Sequence, residues 1–379
     1  MTARDKEQKK ALKLCLETEG NILLSMATGS GKSRVPIEYA KKKGVKSIAV
    51  LVPTEDLRDN NWKEEFEKWG AIDLWENNTE ALCYASASKI KGKHFDLIIM
   101  DEAHRITDLS YEFFIDNTFD KVIALTATEP EKLNKITLFE QLNFKAKHVL
   151  TLDEAIEKGI IADYEITVVY TQLNSSLKYI DAGSKKKPFK TTEKKNYDYL
   201  TSKLEELKNL PYLSPTDERK REFLILKRMH LIYNLRSKLI AAKYIKDKVL
   251  DTSERILIFC GNIDQANELC EYRYHSKTSD TDLIKFKKGE INQLSCVDAI
   301  NEGINIPDLD GALVVQIKSS EIQLIQRLGR TLRIRPNHKA KIIILVCKGT
   351  QDEVWLENAI KNLDSNKITY KMINEYLYE

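Results

Sequence analysis

The sequence predicts an α/β protein of two halves, each built around one parallel sheet, with a mostly helical segment between them. Three observations predict it. Continuous β-branched runs occupy the first 150 residues, similar runs return after residue 254, and helical patterns alternate with them in both places. The runs show no polar alternation, so each strand is expected to be covered on both faces. The expected division is 1–150, a connector over 151–250, and 251–379.

In chain order, Ile22 to Met26 reads as a short buried strand bounded by Gly20 and Gly29, and "SRVPIEYAKKKG" after Lys32 opens a helix with Pro36 early in it. "KSIAVLV" (46–52), "FDLIIM" (95–100) and "KVIALT" (121–126) are further strands. Leu57, Trp62, Phe66 and Trp69 recur at helical spacing over 54–70, with Thr54 as N-cap. After the connector, "RILIFC" (255–260), "QLSCV" (293–297), "ALVVQI" (312–317) and "KIIILV" (341–346) are strands, and helices are expected near 263–273, 320–331 and 351–363. The middle is different. The run "GSKKKPFKTTEKK" (183–195) reads most simply as a solvated mobile loop, and a long helical pattern extends from Glu222 to Val249.

Composition mainly excludes. Sixty basic against 57 acidic residues leave a net charge of +3, too small by itself to mark a nucleic-acid binder. Six cysteines without a C-x-x-C pair fit a reducing compartment, hence the cytoplasm, and neither they nor the six dispersed histidines suggest a metal cluster. The charged N-terminus lacks the apolar core of a signal peptide. No run approaches the ~20 apolar residues of a membrane span.

The stretch "ATGSGKS" (27–33) carries chemistry. A strand, a glycine-containing turn and a helix start make a phosphate cradle, because the first N–H groups of a helix lack partners. Gly29 and Gly31 let backbone approach a polyphosphate, Lys32 neutralises its terminal phosphates, and Ser33 offers a hydroxyl to magnesium. Thr28 and Ser30 complete the lining; the first glycine of the general G-x-x-x-x-G-K-[ST] pattern falls on Met26. "HFDLIIMDEAHR" (94–105) supplies the complement. It ends a strand in adjacent carboxylates, at the edge where open α/β sheets bind ligands. Asp101 can hold magnesium through water, and Glu102 can orient and deprotonate an attacking water.

With "DEAH" beside "ATGSGKS", the chain resembles the superfamily 2 helicases and translocases, and further motifs follow in that family's order. "LVPTEDLRDNNW" (51–62) resembles motif Ia, "LTAT" (125–128) motif III and "ILIFCGNIDQANEL" (256–269) motif IV. "VDAINEGINIP" (297–307) resembles motif V and "QLIQRLGRTLR" (323–333) motif VI. The resemblance covers nearly all the chain except about 172–230, and is nearest to phage branched-DNA helicases, repair translocases and restriction-enzyme motors. It implies two RecA-like domains with ATP in the cleft between them. Gln326, Arg330 and Arg333 would face the phosphates, the arginines stabilising transition-state charge. Gly303 would lie against the nucleotide; Asn305 stands where many members carry Asp. His104, Thr126 and Thr128 would link the ATP site to domain movement, and Gln8 would read the adenine edge. A nucleic-acid strand would be held by its phosphates, with Thr54 and the motif IV and V loops the best positional guesses and Lys185, Lys186 and Lys187 adding attraction.

The expectation is therefore an ATP- and magnesium-dependent hydrolase acting as a helicase or translocase, monomeric, with DNA favoured over RNA and no membrane contact. An RNA helicase, or a nucleotide-gated binding module without sustained turnover, are the alternatives. Glu102, Arg330 and Arg333 favour turnover, since a pure switch needs no hydrolytic apparatus.

Overall fold

Every continuous apolar run of the first half is a strand. The computed structural model describes residues 1–55, 57–127, 133–184, 187–297, 309–317, 339–361 and 363–377. The described chain divides into two compact units, with the boundary after Asp163.

In the first unit, α1 (Ala3–Glu17) leads to β1 (Ile22–Met26), α2 (Arg34–Lys43) and β2 (Ile48–Val52). A π-type turn at Leu57–Asn61 enters α3 (Trp62–Lys68), followed by α4 (Ile72–Asn78), β3 (Thr79–Cys83) and β4 (His94–Met100). Then come α5 (Asp108–Asp116), β5 (Thr118–Thr126), α6 (Leu133–Gln141), β6 (Ala146–Leu150) and α7 (Leu152–Glu157). The six strands form one sheet, order β3-β2-β4-β5-β1-β6, and every pairing is parallel. Alternate residues explain the apolar runs. Ile22, Leu24, Ile48 and Val50 pack into one core with Ala11, Trp62 and Phe66, while Leu23, Ala49 and Leu51 face a second core with Phe95 and Phe113.

The second unit opens with β7 (Tyr164–Thr171), a strand inside the stretch read as connector, and a hairpin of β8 (Ile180–Ser184) and β9 (Lys187–Thr191). The lysine run is thus an antiparallel ladder in its described part, from Ile180–Thr191 to Ser184–Lys187, and not a loop; Lys185 and Lys186 lie outside the described residues. Helices α8 (Glu193–Lys208), α9 (Pro215–Tyr233) and α10 (Arg236–Tyr244) follow, so the long helical pattern is broken at Asn234–Leu235. Next are β10 (Ile256–Phe259), α11 (Ile263–Leu269), β11 (Arg273–Tyr274), α12 (Thr281–Lys288), β12 (Gln293–Cys296) and β13 (Gly311–Val314). Finally come β14 (Ala340–Cys347), α13 (Gln351–Ile360), β15 (Ile368–Met372) and α14 (Ile373–Leu377). Seven strands make a second all-parallel sheet, β11-β12-β10-β13-β14-β7-β15. The helix expected near 320–331 falls outside the described residues.

A buried ionic network organises this unit. The Lys238 ammonium, fully buried on α10, donates to Asp352 Oδ2 at 2.7 Å and to Gln316 Oε1 at 2.9 Å. Gln316 Nε2 donates to Asp352 Oδ1 at 2.9 Å, and the Cys347 N–H to Asp352 Oδ2 at 3.0 Å. The network joins α10, α13 and the ends of β13 and β14. A second buried carboxylate, Glu193, accepts from Tyr179 Oη at 2.7 Å and from the Ser237 N–H at 3.0 Å, which anchors the hairpin to the start of α10. Removing one partner of a buried pair strands the other charge, a cost of about 3–5 kcal/mol. Lys238→Met is therefore expected to lower unfolding stability by about that amount in urea titrations; a loss under ~1 kcal/mol would show that the pair is not what holds these elements.

Candidate functional site

The first unit's sheet puts the ends of β1, β5 and β4 side by side. The pairs Ser25–Thr126 and Met100–Ala124 align their carboxyl edges, so the segments leaving them converge. After β1 the chain turns through Gly29 and Gly31, at φ +83° and +74°, where only glycine is comfortable. A Cβ on Gly31 would collide with the Gln8 amide.

Lys32 points from this turn to the loop after β4, its side chain 7% exposed, with Nζ 3.4 Å from Glu102 Oε1. Glu102 has φ 47° and ψ 50°, a left-handed conformation costing a non-glycine residue of order 1–2 kcal/mol. Its amide donates to Asp101 Oδ1 at 2.9 Å, which helps hold the strained turn. Asp101 Oδ2 accepts from the Trp62 indole at 3.1 Å, and Tyr84 Oη donates to the Asp101 carbonyl at 2.9 Å.

The remaining groups are tied in as firmly. Ser33 Oγ donates to Glu65 Oε2 at 2.8 Å; the same oxygen accepts from Trp69 Nε1 at 3.0 Å, and Oε1 accepts from Lys68 at 2.8 Å. Burial raises the Glu65 carboxyl, but these hydrogen bonds outweigh it and hold the group below its ordinary value. Gln8 Nε2 donates to the carbonyls of Ser30 and Gly31 at 3.0 and 3.1 Å, and Gln8 Oε1 accepts from Arg34 at 2.9 Å. Beside Gln8, between α1 and α2, a cavity of about 430 Å³ is lined by Asp5, Leu12, Leu16, Arg34 and Val35 among others. His104 Nδ1 is 3.1 Å from Thr126 Oγ1, and Lys135 donates to the His104 carbonyl at 2.9 Å.

The structure thus brings Gln8, the 28–33 turn, Asp101, Glu102, His104 and Thr126 to one sheet edge. Thr54 lies at the head of the segment leading into α3, its hydroxyl 3.4 Å from the Leu57 N–H, and Lys187 lies on β9 in the other unit. Thr128, Gly303, Asn305, Gln326, Arg330 and Arg333 lie outside the described residues. In the sequence Trp62 and Trp69 stand out by helical spacing, and Trp62 also closes the motif Ia stretch, but nothing there marks Glu65 or Arg34, which stacks on Trp69 at 4.1 Å. No metal-ligating cluster was expected, yet His94 and Asp120, both exposed, and the half-buried Asp96 gather near the amino ends of β4 and β5, opposite the site.

The residues fit a magnesium nucleotide. Ser30 Oγ is buried without a hydrogen-bond partner among the described residues, Gly31 has no room for a side chain, and Lys32 supplies a buried cation. Ser33 and Asp101 offer the oxygen donors that magnesium prefers.

Comparison with known proteins agrees with this geometry. Residues 2–131 match the family model of the type III restriction enzyme res subunit, and residues 241–335 match that of the helicase conserved C-terminal domain. The DNA 3'-5' translocase XPB2 of Sulfurisphaera tokodaii is 26% identical over 374 residues, covering 91% of this chain and 82% of that protein. The ATP-dependent DNA helicase fml1 of Schizosaccharomyces pombe is 30% identical over 95 residues, 24% of this chain and 11% of its own length. Among solved structures, the Pyrococcus furiosus Hef helicase domain superposes with a TM-score of 0.59 at 17% identity, covering 93% of this chain and 96% of that one. That likeness establishes the fold, two RecA-like domains with parallel sheets.

His104 gives the site a pH signature. Burial lowers its imidazole from 6.5 to about 4, only partly offset by the nearby Glu102. Between those values the unfolded chain binds more protons than the folded one, so stability falls as the pH falls from 6.5 towards 4. The contribution is complete above 6.5 and amounts to at most about 3 kcal/mol. Urea titrations at pH 7.5 and pH 5 should show ~1–2 kcal/mol less loss in His104→Gln than in the unchanged protein; equal losses would contradict the assignment.

Proposed function

We propose that this chain, a member of the superfamily 2 helicases and translocases in their repair and restriction-motor group, is an ATP-hydrolysing motor that moves on DNA. The single observation that carries the reading is the buried approach of Lys32 to Glu102, with Asp101 beside it, at the carboxyl edge of a parallel sheet. DNA is favoured over RNA because XPB2 is named a DNA translocase and fml1 a DNA helicase. The branched-DNA flavour of the motifs makes forks and junctions the first substrates to try.

Each residue then has a role. The 28–33 turn presents N–H groups to the phosphates, and Lys32 leaves Glu102 to neutralise them. Freed from that ion pair, the Glu102 carboxylate orients a water and takes its proton. Ser33 and Asp101 hold the magnesium ion, which when bound neutralises charge on the phosphate oxygens. Gln8 ties the phosphate turn to α1 beside the cavity, which we assign to the base. Arg330 and Arg333 supply further positive charge from the second half, Gln326 faces the phosphates beside them, and Gly303 and Asn305 lie near the nucleotide. Thr54 and Lys185, Lys186 and Lys187 contact strand phosphates, which gives grip without sequence preference.

We assign an ATP-binding domain to 1–150, a connecting stretch to 151–250, whose part from Tyr164 on is built into the second compact unit, and a second motor domain to 251–379. The six buried free cysteines suit a reducing cytoplasm, and the motor is assigned as a monomer. Among the described residues no helix is long and apolar enough to cross a membrane.

An ATPase assay across single-stranded, duplex, forked and four-way DNA with matched RNA tests the reading. DNA should stimulate turnover more than RNA of the same structure; greater stimulation by RNA would contradict the substrate assignment. Glu102→Gln should keep nucleotide binding and lose turnover, because an amide preserves shape and cannot accept the proton. Arg330→Ala and Arg333→Ala should each lower stimulated turnover by roughly 10³–10⁵, the range for arginine fingers. Undiminished stimulation in both would remove those arginines from the mechanism.

A further inference from the structure

We infer that α3 positions both magnesium-side groups, with Trp62 setting the Asp101 carboxylate and Glu65 setting the Ser33 hydroxyl. The inference rests on the reading of Ser33 and Asp101 as magnesium-side residues. Positions 62 and 65 are three apart and share one face of the short α3, and Trp69 follows at its carboxyl end. That face meets two chain segments that are far apart in sequence. Trp62 reaches the carboxylate after β4, and Glu65 reaches the hydroxyl before α2.

Trp62 is a fixed donor. It is 2% exposed, packs in the core, and has Phe66 6.1 Å away and tilted 54°. With its indole N–H on Oδ2 and the Glu102 amide on Oδ1, each oxygen of Asp101 has a rigid donor. The plane of the carboxylate is thereby set by two donors on different oxygens. Phenylalanine would fill much of the same space but leave Oδ2 without that donor.

Glu65 acts on a proton. A serine hydroxyl has one proton and two lone pairs, and it binds a cation only when a lone pair faces the ion. Donation from Ser33 Oγ to Glu65 Oε2 at 2.8 Å turns the proton towards α3 and leaves the lone pairs to face elsewhere. The carboxylate cannot swing away easily, because Trp69 and Lys68 hold both its oxygens. Arg34 stacks on Trp69 and begins α2 immediately after Ser33, which fixes the spacing between the two helices. Outer partners of this kind typically change metal affinity 10–100-fold when removed.

The test measures nucleotide affinity with and without the metal, by titrating the full chain with a fluorescent ATP analogue in magnesium and in EDTA. Trp62→Phe and Glu65→Ala should each reduce the tightening that magnesium brings by roughly tenfold. Affinity in EDTA should stay within about twofold, the small change expected where a phosphate-binding backbone is intact. Ser33→Ala and Asp101→Asn serve as references. If they lose magnesium dependence while both α3 variants keep it, the role of α3 is overturned and the magnesium site stands. If the references also keep it, the site assignment fails, and this inference with it. Melting temperatures of all four variants separate a lost fold from a lost metal effect.

Discussion

The approach of Lys32 to Glu102 depends on strands that end together. Lys32 follows β1 and Glu102 follows β4, and β5 lies between them in the sheet. Only parallel strands in this register leave all three carboxyl ends at one edge. A slip of one residue in β5 would turn Thr126 to the opposite face and break its contact with His104. The strain in Glu102 belongs to the same constraint. A left-handed residue after a strand aims the carboxylate back over the sheet edge, and the Asp101 side chain closes the turn that makes it possible. The helices depend on the edge as well. Gln8 secures the glycine turn from α1, while α3 contacts both strand-end segments, through the Trp62 indole and the Glu65 carboxylate.

The second unit solves a different problem. Its sheet recruits β7 and β15 from opposite ends of the segment that forms it, both pairing parallel as β14-β7-β15. Lys238, Gln316 and Asp352 join α10, the helix between β7 and β10, to the ends of two central strands. Gly261, at the end of β10, sits close enough that an added Cβ would meet Gln316 at 3.0 Å. The buried network therefore reaches the strand ends on β10, β13 and β14 together. A network of charges that is fully hydrogen-bonded fixes one arrangement, because any other leaves an ion buried and unpaired.

What the sequence made legible was local. The glycine turn and the adjacent carboxylates are short patterns whose chemistry sits in consecutive residues, so the core of the site could be read before any fold was known. The continuous apolar runs disclosed the central strands for the same reason. What escaped was assembled from distant residues. Trp62 and Trp69 look like core at helical spacing, and they are packed side chains; only the fold reveals that each indole N–H is also spent on a carboxylate. The lysine run has the composition of a loop, yet Phe189 and Thr191 belong to a strand because Ala182 and Ile180 lie opposite them. Likewise β7 pairs with β14, where Thr171 lies opposite Cys347 and Tyr164 opposite Ala340, and no local pattern announces it. The long pattern from Glu222 to Val249 hid a break at Asn234–Leu235, since apolar spacing continues across it.

Hydrolysis at this sheet edge matters only if it moves the protein along its polymer. Displacement of a short third strand from a duplex reports that directly, since a translocating protein strips the strand without needing to open the duplex's own Watson–Crick pairs. With ATP and magnesium the chain should release the third strand at a rate that grows with ATP concentration, and a non-hydrolysable analogue should release none. Steady ATP turnover on the same duplex with no displacement, or equal displacement with the analogue, would contradict the assignment as a motor.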